Sequence, residues 1–243
     1  MRRLAVGLVA GIVVMLGLAG CSPSVKPVPP DPGVTAVVVS GVEVSAQEFR
    51  YCVKQVRAEV MDTAAKNRWT TNGSAPVSED PTAELLVERA SRKCAEGVIR
   101  RVQAADVGVI DDVTFDALTA RWEADNRARA EAADAGKVVY GPVERSLEQY
   151  EFQEMADAAS VVEREAADAM LAAPRALEKA LADHPEVAKG LDLSKPAERL
   201  IAAKMIARDN FEVELRQALR DADVRFEDEW LRSVTLDSLV DPP

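Results

Sequence analysis

Apolar residues recur along this chain at intervals of three and four far more often than they alternate, and the helices follow from that pattern. Phe49, Cys52, Val53, Val56 and Val60 keep helical spacing, and Ser45 precedes them with Glu48 three residues on. This predicts a helix over 46–66 opened by a capping box. Leu86, Ala90, Cys94, Val98 and Val102 form one stripe of a second helix over 82–105, in which Gly97 costs about 1 kcal/mol relative to Ala. Between them, 67–81 is rich in Asn, Gly, Pro and Ser and reads as a loop. Its Asn72-Gly73-Ser74 matches a glycosylation sequon, a three-residue pattern common by chance.

A third helix, capped by Asp111 or Asp112, carries Phe115, Leu118, Trp122, Asn126 and Arg129, so its apolar face fades after Trp122; Gly136 ends it. Ser146 with Gln149 is a second capping box, opening a helix over 147–171. Pro174 starts a helix to Ala182 that His184-Pro185 interrupts. Ser194 is expected to cap a long helix reaching about Ala222. Alternation is confined to short pieces. Ala36–Val39 and Val42–Val44, separated by Ser40-Gly41, predict a strand–turn–strand unit, with Val224–Phe226 or Val138–Tyr140 as the available partners. Leu236 to Pro243 reads as a frayed tail. The expected fold is mainly α: several helices with one or two short strands, in a single domain over 36–243.

The N-terminus is organised differently. Arg2 and Arg3 precede an apolar run from Leu4 to Ala19, which ends in Leu18-Ala19-Gly20-Cys21. The run is shorter than the ~20 residues of a spanning helix and has the layout of an export signal. The four-residue ending resembles a bacterial lipobox. That resemblance implies cleavage after residue 20, lipidation of Cys21, and a body held by its lipid on the extracytoplasmic face of the membrane. Residues 21–35, with five prolines, then read as an extended tether reaching up to ~40 Å.

The formal net charge is −11, two units more negative once Arg2 and Arg3 are removed. That balance disfavours nucleic acid, and no nucleic-acid partner is expected. With Cys21 lipidated, Cys52 and Cys94 remain as a pair. They read either as a disulfide in an oxidising compartment or as two buried thiols acting as small apolar residues. They lack C-x-x-C spacing. The only histidine, His184, sits before a proline in a polar turn and reads as a solvated residue. A His-dependent triad or multi-His metal site lacks its parts, and no glycine-rich phosphate cradle is present. No catalytic residue, cofactor or metal is therefore expected.

Three segments together resemble the SurA/PrsA family of extracytoplasmic chaperones. Val39 to Phe49 (VSGVEVSAQEF) is similar to that family's strand–turn–helix entry, with Ser40-Gly41 in place of Asn-Gly. Phe115-Asp116-Ala117-Leu118 with Trp122 and Asn126-Arg127 resembles its middle helix. Tyr140-Gly141-Pro142 and Ser146 to Tyr150 resemble the bridge and next helix. The resemblance implies a helical cradle for unfolded exported proteins, without the parvulin isomerase domain that many members carry. It transfers no fixed client-binding residue. Met155, Met205, Trp122 and Phe211 are candidate groove liners, or else core. The competing expectation is a scaffold lipoprotein that docks one envelope partner.

Overall fold

A computed structural model describes Asp31 and residues 33–240; the signal segment, the lipobox and Cys21 lie outside the described residues. The chain is mainly helical with a small antiparallel sheet. Strand β1 (Thr35–Val39) is central, flanked by β2 (Val42–Ser45) and β3 (Val224–Phe226). Ser40 and Gly41, with φ of 49° and 88°, make the two-residue turn between β1 and β2, the geometry whose twist matches paired strands. The predicted third strand is Val224–Phe226. Val138–Tyr140 is an exposed, irregular connection instead. Thr35, expected in the tether, begins the sheet, and Val34 O accepts a hydrogen bond from Ala46 N at 2.7 Å.

Helix α1 (Ala46–Asn67) follows β2 directly, with Ser45 Oγ accepting from Glu48 N. The expected capping box is only half formed. The Glu48 side chain turns inward to Arg101 rather than back to the cap. Helix α2 (Pro81–Asp106) is capped by buried Asp80, whose Oδ1 accepts from Thr82 N and Ala83 N. Helix α3 (Phe115–Asp134) is capped by Thr114, not by Asp111 or Asp112; Asp112 Oδ1 accepts from Thr114 N instead. Helix α4 (Leu147–Ala172) has the complete Ser146–Gln149 capping box. Helices α5 (Pro174–Asp183) and α6 (Pro196–Asp221) follow. Ser194 does not cap α6. Lys195 holds that position without a side-chain bond, because the Ser194 hydroxyl is engaged by Asp192 Oδ1.

The C-terminal segment corrects the expectation of fraying. Helices α7 (Asp228–Ser233) and α8 (Leu236–Val240) bury Trp230, Leu236 and Leu239; residues 241–243 lie outside the described residues. Trp230 packs on Phe49 with ring centroids 4.8 Å apart and lies parallel to Phe226. The main core thus joins the sheet, α1, α2 and the last 17 described residues, 224–240. A second core, with Ala167, Leu177, Val187, Ala203 and Ile206, lies among α4, α5 and α6. A smaller cluster of Ala104, Ile110, Met155 and Ala158 connects α2 to α4 between them. Burial of this apolar area from water is the main force holding each cluster together.

Candidate functional site

Helices α1, α2, α4 and α6 leave a cleft in two adjoining chambers. The first, about 360 Å³, lies between α1, α2 and α4, and the second, about 210 Å³, between α2, α4 and α6. Arg100, Phe152 and Met155 line both and mark where they meet. Phe152 is 72% exposed although it is a large apolar side chain. Phe211 and Leu215 supply the α6 wall of the second chamber.

The floor of the first chamber is a buried polar network. Arg101 on α2 meets the Glu48 carboxylate on α1. Its other terminal nitrogen lies 3.7 Å from Glu151 Oε1 on α4, and its Nε donates to Val113 O at 2.7 Å. Tyr51 OH donates to Glu151 Oε2 at 3.2 Å. Burial pushes the Glu48 carboxyl above its ordinary pKa, and the Arg101 charge opposes that rise. Burial, reinforced by the Glu151 charge, likewise raises the Tyr51 phenol. Gly97 has a reason to be where it is. A Cβ there would stand 3.1 Å from Glu151 Oε1 and 3.4 Å from Arg101 Nη1, so the helix-weakening residue lets the network close.

Cys52 and Cys94 line the same chamber. They are joined as a disulfide between α1 and α2, with Cα atoms 5.6 Å apart. The cleft therefore offers no free thiol. Its carboxylates at Glu48 and Glu151 share one guanidinium, an arrangement that fixes helices rather than freeing an acid or base. At the second chamber, buried Arg100 Nε and Gln103 Oε1 have no hydrogen-bond partner among the described residues. Such atoms are costly unless a partner arrives.

Of the four candidate liners, Met155 lies in both chambers and Phe211 in the second. Trp122 lines neither; its Nε1 donates to Arg145 O at 2.7 Å and ties α3 to the start of α4. Met205 is exposed on α6 and lines neither chamber. Reading the sequence misses Phe152, although it precedes Met155 by three positions and shares its face of α4; Glu148 and Gln149 on the preceding turn leave it at the polar end of that stripe. His184 lines neither chamber. It lies near Glu186 and Asp209, the one group of possible metal ligands among the described residues. No described helix is long and apolar enough to cross a membrane. Compared with models of known families, with curated proteins and with solved structures, the chain matches none.

Proposed function

We propose that this chain is a lipid-anchored extracytoplasmic protein that binds unfolded or partly folded exported proteins in the two-chamber cleft, without catalysing a reaction. The observation that carries this reading is Phe152, a largely exposed aromatic at the junction of two apolar-walled chambers. Exposed apolar surface gathered at a concavity is the usual mark of a binding site. The two chambers are lined by four basic and six acidic side chains, which favours segments carrying positive charge.

The reading is tested by light scattering of a denatured client diluted into stoichiometric excess of the purified protein. Suppressed aggregation that is lost in Phe152→Glu supports it; unchanged aggregation with the unaltered protein overturns it. The anchor is tested separately by metabolic lipid labelling of the unaltered chain against Cys21→Ala.

A second reading, a scaffold docking one envelope partner, is favoured by the connection from α3 to α4. Val138 and Tyr140 there are 78% and 85% exposed, an apolar pair suited to a dedicated partner. Crosslinking in cells separates the two, because many products indicate clients and one stable product a scaffold.

A further inference from the structure

The turn after α5 and the middle of α6 bring together an imidazole and two carboxylates. The ligand atoms of His184, Glu186 and Asp209 all lie within 4.8 Å of one another, and His184 Nδ1 is 3.6 Å from Glu186 Oε1. Ligand atoms around a zinc-sized ion stand about 3–3.5 Å apart when bonds are ~2.0–2.2 Å. Closing the difference asks only for small rotamer changes in Glu186 and Asp209, both at the surface.

The backbones that carry these ligands are fixed. Val187 N donates to His184 O at 3.1 Å, closing the turn, and Val187 is buried with Leu177 and Ile206. Ile206 precedes Asp209 by three positions on α6, so the second core holds both halves of the cluster in place.

Electrostatics gives an independent reason for a cation here. Among the described residues, no Lys or Arg nitrogen lies within ion-pair distance of Glu186 or Asp209. The neighbouring acids are compensated: Asp192 and Glu198 by Lys195, and Glu163 by Arg208 at 3.8 Å. Arg208 adjoins Asp209 in sequence yet reaches toward α4. Two carboxylates are thus left facing each other in a chain already at −11.

We propose that His184, Glu186 and Asp209 bind one divalent transition-metal ion of the zinc type, clasping the turn after α5 to α6. The imidazole selects for such an ion over calcium or magnesium, which prefer all-oxygen sites. This departs from the sequence-based expectation of no metal site. Asp209 is a loop and half a helix away from His184, and only the fold makes them neighbours. The site is separate from the cleft and does not rest on the proposed function.

Calorimetric titration of the full-length, tag-free protein with zinc chloride tests it. One equivalent is expected to bind, and His184→Gln and Asp209→Asn each to weaken binding at least tenfold. The lone imidazole gives a second readout, because its ring proton resonances shift on addition of zinc and reach an endpoint at one equivalent. Absence of stoichiometric binding overturns the proposal. So does binding that both variants retain, or calcium binding as tight as zinc. Circular dichroism of the variants, expected to be unchanged, keeps loss of fold from standing in for loss of a ligand.

Discussion

Arg101 of α2 and Glu48 of α1 meet in an ion pair whose side chains are only 2% and 3% exposed. Removing one partner from such a pair leaves a buried charge without compensation, at a cost of about 3–5 kcal/mol. Arg101→Met is expected to lower the unfolding free energy by that amount, read as a lower urea midpoint. Combining it with Glu48→Leu is expected to recover most of the loss, since apolar replacements of similar volume are often tolerated. A double variant no more stable than Arg101→Met would show that the pair is not what the surrounding helices depend on.

The bond between Cys52 and Cys94 closes a loop with a sequence separation of 42. In the chain-entropy account, a loop of that length corresponds to about 4 kcal/mol. Intact mass should rise by about two daltons on reduction. The Cys52→Ala, Cys94→Ala protein should unfold at distinctly lower denaturant. An unchanged mass after reduction of the unfolded protein would mean that the thiols are free.

Tyr51 gives the alkaline side of the stability curve a defined sign. Its phenol is raised above the ordinary value of 10, first by burial and then by Glu151. The folded form therefore holds its proton more tightly than the unfolded form. The corresponding stability is complete below about pH 10 and is lost as pH rises through the folded value. Absorbance at the tyrosinate band should show a late-titrating phenol that Tyr51→Phe removes. Superimposable titration curves for the two proteins would refute this.

Phe152 separates binding from folding. Its side chain is largely exposed, so Phe152→Glu should change stability by no more than about 0.5 kcal/mol while reducing client binding in the aggregation assay. A large loss of stability in thermal melts would instead place Phe152 among residues that hold α4 in position.

Gly73 is expected to be intolerant for a steric reason. A Cβ at this position would fall 1.9 Å from Asp237 Oδ1, and Gly73 O accepts from Asp237 N at 2.9 Å. Gly73→Ala should therefore loosen α8, seen as faster proteolysis within 234–240. A proteolysis rate equal to that of the unaltered protein would show that the Asp237 carboxylate simply swings aside.

The helices were legible because their signals are local. Ser146 and Gln149 form a capping box three residues apart, and the stripe from Phe49 to Val60 follows from spacing alone. Ser45 and Glu48 carry the same local signature, yet Glu48 is drawn away by Arg101, fifty-three residues along. A charged residue at a helix position reads as solvated, and only packing reveals that it is not. Leu236 and Leu239 are too few to announce a helix, and they become one by docking on α1 and its neighbours. The cleft was half visible for the same reason: Met155 and Phe211 lie on apolar stripes, whereas Arg100 and Gln103 acquire meaning only where three helices diverge.

The pairing of β1 with β3 has a consequence for the order of events in folding. Val37 is matched with Phe226, and Val39 with Val224, so the first strand described waits on a partner that follows α6 in the chain. Until residues 224–240 emerge, Phe49 lacks the Trp230 ring and one edge of β1 stays open to any other extended chain. Contacts this distant in sequence form slowly. Maturation of the main core is therefore expected to begin only after residues 224–240 have emerged. A truncation ending before Val224 should expose that strand edge and aggregate, even though every helix up to α6 is present.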